Sequence, residues 1–217
     1  MPEKCCKNSK GDLYQFDYEI KSESGNFIVG VDEAGRGPLA GPVVAAAVVL
    51  DYEQKIEKID DSKKLNQKTR EYLYDQITEK APFWSVGIAT VEEIDKNNVL
   101  NATFLAMKKA IENIECKWSI ALIDGNHAIP FFDIKKQKTL IGGDGKSASI
   151  AAASIVAKVT RDRMMKDYHD LYPHYKFDTN KGYGTKEHIS KIESYGLSPI
   201  HRRTFCNHFF IQTKLDL

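Results

Sequence analysis

The sequence predicts an α/β or α+β domain built on a mixed sheet, and three observations carry that prediction. Two β-branched runs, 27–32 and 42–50, are separated only by a Gly/Pro-rich connection, short enough for antiparallel pairing. Two further runs of strand composition, 83-FWSVGIATV-91 and 117-KWSIALID-124, alternate with segments of helical period. Those segments are long, and one of them keeps Leu100, Phe104, Met107, Ile111 and Ile114 on a single apolar stripe.

In chain order, the polar stretch 1–25 lacks periodicity and ends in 22-SESGN-26, so residues 1–26 are expected to form a flexible N-terminal arm. After the first two strands, the segment 62–80 carries Leu73 and Ile77 on one face, with Asn66 placed to cap its helix. Thr90 followed by Glu93 has the spacing of a capping box and starts the next helix. Residues 138-KTLIGGDG-145 read as a short strand and turn. The segment 147–172 reads as a helix capped by Ser147, and its run 151-AAAS-154 is small enough to let that helix approach a sheet closely. A last helix runs from Thr185 as N-cap to Gly196 at C′.

A chain of 217 residues is long enough to bury a core without disulfide or metal staples. Its formal net charge of +1 makes no global statement, so affinity for a polyanion has to come from local basic runs such as 134-IKKQK-138, 156-VAKVTRDRMMK-166 and 201-HRR-203. The four cysteines show neither CxxC nor zinc spacing, and no segment reaches 18 unbroken apolar residues. A soluble, cytoplasmic, monomeric protein without membrane attachment is expected.

Asp32 and Glu33 end the first strand, and Asp124 ends a later one; glycine follows within three residues in both places. Ligands of open α/β sheets gather outside the carboxyl ends of strands. Asp32 and Glu33 would face opposite sides of a regular strand, so a shared site needs a bend, which Gly35 permits. Adjacent buried carboxylates repel by roughly 4 kcal/mol at 4 Å and an effective dielectric near 20, so they need protons, distance or cations. Oxygen-only ligands favour Mg²⁺ or Mn²⁺. Two more acids compete for membership. Asp162 lies on the long helix four residues after Lys158, a spacing that also makes an ordinary ion pair. Asp144, within 142-GGDG-145, has the local chemistry of a turn and helix entry.

Seven blocks follow one another in order: 31-VDEAGRGPLAGPVVAAAV-48, 61-DSKKL-65, 92-EEIDKNNVLNATFLAM-107, 122-LIDGN-126, 143-GDGKSASIAAASIVAKVTRDR-163, 181-KGYGTKEH-188 and 199-PIHRRTF-205. In these blocks the sequence resembles ribonuclease HII, the bacterial type 2 ribonuclease H. The resemblance implies a ribonuclease H-like mixed five-stranded sheet flanked by helices over 27–172, and a small helical, substrate-binding C-terminal part over 173–217. It also implies that Asp32, Glu33, Asp124 and Asp162 are the catalytic, metal-holding carboxylates, which leaves Asp144 structural. Gly35, Arg36 and Gly37 would meet the ribose 2′-hydroxyl, Tyr183 would read the junction of RNA with DNA, and Ser62 and Lys63 would contact phosphate. The chain departs from the family pattern at Gly143 and Gly145, which bears on the rigidity of that turn.

The expected activity is hydrolysis of the phosphodiester 5′ to a ribonucleotide, in RNA/DNA hybrids or at a single ribonucleotide in duplex DNA. Two Mg²⁺ or Mn²⁺ ions would assist, leaving 5′-phosphate and 3′-hydroxyl ends. Such an enzyme would remove ribonucleotides from DNA and degrade RNA primers. The related type 3 enzyme usually carries an extra N-terminal domain and a lysine between its glycines, where this chain has about 26 residues and Arg36. The tail 212-QTKLDL-217 loosely resembles peptides that dock weakly on sliding clamps.

Overall fold

The computed structural model describes residues 12–24, 27–60, 62–130 and 132–207. Five strands form one mixed sheet: β1 (Phe27–Ala34), β2 (Val43–Val49), β3 (Phe83–Ala89), β4 (Trp118–Asp124) and β5 (Gln137–Leu140), in the spatial order β3-β2-β1-β4-β5. The short β1–β2 connection makes that pair antiparallel, as is β2 with β3, while β4 joins β1 and β5 in parallel. Every residue of β2, 43-VVAAAVV-49, is buried, as a central strand covered on both faces requires.

The helices are α1 (Leu13–Ser24), α2 (Gln67–Lys80), α3 (Val91–Glu112), α4 (Ala148–Leu171), the single turn α5 (Phe177–Asn180), α6 (Lys186–Tyr195) and the single turn α7 (Arg203–Cys206). The caps follow the sequence. Asn66 accepts from the Thr69 amide, Ser147 from Ile150 and Thr185 from His188, and the Thr90–Glu93 capping box is complete. No described helix is long and apolar enough to cross a membrane.

Side-chain alternation divides the core into two layers. Ile28, Ala46, Val48 and Leu122 point to α4, α1 and α2; Val29, Val31, Ala45, Ala47 and Ile123 point to α3. α4 packs into the first layer through the small side chains of Ala148, Ser149, Ala151, Ala152, Ala153 and Ser154, all buried. Its closest approach is at Gly30, where a Cβ would lie 2.1 Å from the carbonyl carbon of Ser149, so only glycine fits. A third cluster joins Ala40, Val91 and Met165 to Tyr175, Phe177, Ile192 and Ile200, which seats the segment after α4 against the body of the protein.

Two expectations need correction. The stripe from Leu100 to Ile114 is not continuous: Met107, Ile111 and Ile114 are buried, but Leu100 and Phe104 are only half covered. α3 is also kinked at Asn98 (φ 63°, ψ 163°), ahead of that stripe. The stretch expected as a flexible arm contains α1, whose Tyr14 and Ile20 are buried. Its Asp17 accepts hydrogen bonds from the Ser149 amide (2.8 Å) and hydroxyl (2.7 Å), at the N-terminus of α4. Residues 1–11 lie outside the described part.

Candidate active site

β1 and β4 run parallel, with Val31 opposite Ile123, so Asp32 and Asp124 leave the sheet at the same end. Both share the parity of Leu122 and Ile28 and face α4. β5 lies beside β4 in the same direction and delivers the chain at Leu140 next to Asp124; the Gly125 amide donates to the Leu140 carbonyl at 2.9 Å. From there a 3₁₀ turn, Gly143–Gly145, leads into α4 and carries Asp144, which is buried. The Gly143 amide donates to Asp124 Oδ1 at 2.7 Å, locking that turn onto the strand end.

As a result, carboxylate oxygens of Asp32, Asp124 and Asp144 lie within 4.8 Å of one another. Burial first, and then the Glu33 and Asp124 charges, push Asp32 well above the usual carboxylate range, with a Ser154 hydroxyl bond in partial opposition. Burial also raises Glu33, although Arg36, whose Nη1 donates to Glu33 Oε1 at 3.3 Å, pulls the other way. Strand β1 continues to Ala34, so the bend at Gly35 (φ 99°) follows both acids, and the Glu33 side chain reaches the site from the strand end.

Of the expected foursome, Asp32 and Asp124 contribute oxygens to this close group of described residues, while Glu33 and Asp162 do not. Asp162 does not join the group; its Oδ1 accepts from Lys158 Nζ at 2.7 Å, the ion pair that its spacing allowed. It sits eight residues past Ser154, about 12 Å further along the helix axis at 1.5 Å per residue. Asp144, read from sequence as a turn residue, takes the place beside Asp32 and Asp124. The missed signal was positional: 142-GGDG-145 follows a strand that neighbours β4 and precedes a helix that packs on the same sheet end.

A cleft of about 260 Å³ opens over these groups. Its walls include Asp32, Glu33 and Asp124 together with Gly35, Arg36, Gly37, Ser62, Lys63 and Tyr183, so these expected contacts do converge. Gly37 and Tyr183 are neighbours: a Cβ on Gly37 would lie 3.8 Å from Tyr183 Cε1. Lys63 Nζ reaches Asp144 Oδ2 at 3.2 Å, while Ser62 is buried, its hydroxyl 2.8 Å from that of Ser154. Ser62 therefore pairs its hydroxyl with Ser154 rather than offering it open. Ser154, Arg70 and Lys158 also line the cleft, and sequence reasoning had not singled out Ser154 or Arg70. His127 is exposed and packs edge-on against Phe104, away from the cleft lining.

Two buried arginines hold the Gly35–Gly37 loop in shape. Arg202 donates to the carbonyls of Gly35, Arg36 and Gly41. Arg161 donates to Pro42, Ala40 and Lys181, joining that loop to the turn before Tyr183.

Comparison with known proteins gives the family of the chain. The family model described as Ribonuclease HII matches residues 29–208. A ribonuclease HII of Fusobacterium nucleatum is 53% identical over 199 residues, covering 89% of each chain. Among solved structures, ribonuclease H2 from Pyrococcus horikoshii OT3 superposes with a TM-score of 0.67 at 28% identity, covering 82% of this chain and 93% of that one. The ribonuclease HII in a PCNA complex from Archaeoglobus fulgidus gives 0.67 at 24% identity, covering 83% and 94%, a likeness of fold. With its family model spanning most of the sequence and a curated relative identical at half its positions, the chain belongs to the ribonuclease HII family and is a nuclease of the ribonuclease H type.

Proposed function

We propose that the protein is a divalent-cation-dependent endonuclease. It would cut RNA/DNA hybrids, and duplex DNA on the 5′ side of an embedded ribonucleotide, to leave 5′-phosphate and 3′-hydroxyl ends. The observation that carries this reading is the meeting of Asp32, Asp124 and Asp144, from three separate chain segments, beside a loop of two glycines and an arginine. The donor set fits a hard cation: the atoms are all carboxylate oxygen, and buried Asp32 is pushed toward protonation in the absence of a compensating charge. Asp32, Asp124 and Asp144 would hold Mg²⁺ or Mn²⁺, two ions in the catalytic complex, with Glu33 completing the set. Such ions supply an activated water and charge stabilisation on the leaving oxygen.

The remaining work falls to the protein's own groups. Gly37 leaves backbone groups open to the sugar, while the Gly35 and Arg36 carbonyls are held by Arg202, and a 2′-hydroxyl, being donor and acceptor together, is what distinguishes ribose there. The Arg36 side chain, about half exposed, is free to take a phosphate by paired bonds when substrate draws it from Glu33. Tyr183 offers a flat face at the cleft rim. Lys63, and Lys158 opposite, supply positive charge along the strand path.

The test is cleavage of a duplex with one embedded ribonucleotide, with mapped ends, in Mg²⁺ and then Mn²⁺. Cleavage on the 5′ side of the ribonucleotide is expected, and Asp32→Asn should abolish it with the fold unchanged by circular dichroism. Full activity in that variant overturns the reading, and failure to cut this substrate while cutting long hybrids points to type 3 behaviour. Removal of ribonucleotides from DNA and of RNA primers is the cellular role that follows. For the tail 212–217, outside the described residues, we propose a weak clamp contact; unchanged clamp binding after deletion of 211–217 would dispose of it.

A further inference from the structure

A chain of hydrogen bonds through two buried histidines ends on the backbone of Tyr183. His188 Nδ1 lies 2.8 Å from the Tyr183 carbonyl oxygen, and His188 Nε2 lies 3.0 Å from His201 Nε2. His201 Nδ1 accepts from the Ser198 amide at 2.9 Å, with the Ser198 hydroxyl at 2.8 Å. The two ends of the chain settle where its protons are. A carbonyl only accepts, so His188 Nδ1 carries hydrogen; a backbone amide only donates, so His201 Nδ1 is bare. His201 then carries its hydrogen at Nε2 and donates to the bare Nε2 of His188. A second proton on either ring would set two donors against each other.

The surroundings keep both rings in that state. His188 and His201 are fully covered, with the Phe177 ring 5.4 Å from His188 and the Tyr175 ring 4.9 Å from His201. Burial holds both below the ordinary imidazole range. The segment bearing His201 also braces the loop after β1: Gly41 donates to Ile200, Arg202 to Leu39, and Leu39 in turn to Gly182, each at 2.8 Å. The block 199-PIHRRTF-205 thus ties the Gly35–Gly37 loop and the Tyr183 turn into one unit.

We propose that His188 and His201 are positioning residues, a neutral pair locked in one tautomer each, which fix the Tyr183 ring beside Gly37 and so set how the cleft holds its nucleic-acid strand. This rests on the reading of Tyr183 as a substrate contact. Neither histidine lines the cleft, so their action passes through the Tyr183 backbone.

Two isosteres separate positioning from bulk stability. In His188→Asn the amide nitrogen can occupy the Nδ1 position and still donate to Tyr183, losing the His201 bond. In His188→Gln the side chain reaches the Nε2 position and keeps the His201 bond, but leaves the Tyr183 carbonyl without its donor. Each variant forfeits one bond, so a purely structural role predicts equal changes. On a duplex with a single ribonucleotide, His188→Gln should raise KM about tenfold with kcat little changed, the loss of one buried hydrogen bond, while His188→Asn stays near wild type. Equal KM values in the two variants, or KM changes that only track Tm, overturn the proposal. A raised KM in Tyr183→Ala with no change in His188→Gln overturns the relay alone. An unchanged KM in Tyr183→Ala overturns the reading of Tyr183 and the relay with it. Should His188→Gln fail to fold, His201→Asn keeps the acceptor for Ser198 and gives up only the bond to His188, whose Nδ1 still donates to Tyr183. It should lower Tm yet leave KM near wild type, as His188→Asn does, and a raised KM overturns the proposal.

Discussion

Replacing Asp144 by asparagine should stabilise the metal-free protein while destroying its response to metal. Three carboxylates with oxygens within 4.8 Å repel pairwise by about 3.5 kcal/mol at an effective dielectric near 20. Burial and these neighbours push Asp32 well above the usual carboxylate range, which favours its neutral form. The Asp124–Asp144 pair then remains. Lys63 offsets it only slightly, because its side chain is 76% exposed and such pairs are worth at most about 1 kcal/mol. Removing the Asp144 charge therefore relieves about 2 kcal/mol, or roughly 4–8 °C in Tm for a chain of this size. The assay is thermal and urea unfolding in EDTA, repeated with Mn²⁺, alongside cleavage of the single-ribonucleotide duplex. Wild type should gain stability with Mn²⁺ by mass action. Asp144→Asn should start higher, gain little and cleave nothing. Asp162→Asn, losing one i,i+4 pair, should lose below about 1 kcal/mol and keep both metal response and cleavage. The reasoning is refuted if Asp162→Asn, and not Asp144→Asn, loses the Mn²⁺ response.

Three further outcomes follow from the packing and the buried titrating groups. Gly30→Ala sets a methyl 2.1 Å from the Ser149 backbone and must push α4 off the sheet; a loss of about 3 kcal/mol or more by urea unfolding is expected, with cleavage reduced because α4 carries Ser154. His201, held at about 4 by burial, binds its proton more weakly folded than unfolded, so stability should fall by about 3 kcal/mol as pH drops from 6.5 to 4, and His201→Gln should flatten that part of the profile. Asp17, raised to about 6 by burial, has the opposite sign: the folded state holds its proton longer, so its contribution is lost as pH rises from 3.8 to 6. Asp17→Asn should therefore gain on wild type by about 3 kcal/mol across that interval, as read by unfolding free energies at both ends.

What the sequence determined by itself was local. The caps at Asn66, Thr90, Ser147 and Thr185, the buried β2 run and the small face of α4 are each decided by a few consecutive residues, whose preferences agree with the final fold. Two carboxylates at strand ends were legible for the same reason, since a strand that stops on an acid puts it at the sheet rim whatever lies alongside. The third was not. Asp144 and Asp162 both follow Asp124 in sequence, and only the parallel docking of β5 on β4 brings the 143–145 turn against Asp124, while the direction of α4 carries Asp162 some two turns past Ser154. The helix α1 was hidden likewise: its short stripe of Leu13, Phe16 and Ile20 is masked by polar neighbours, and the buried Asp17 makes sense only once the N-terminal amides of α4 stand opposite it. The His188–His201 pair is thirteen residues apart in sequence and 3.0 Å apart in space. Such partners come together through the closure of a core, and no local preference along the chain records that distance.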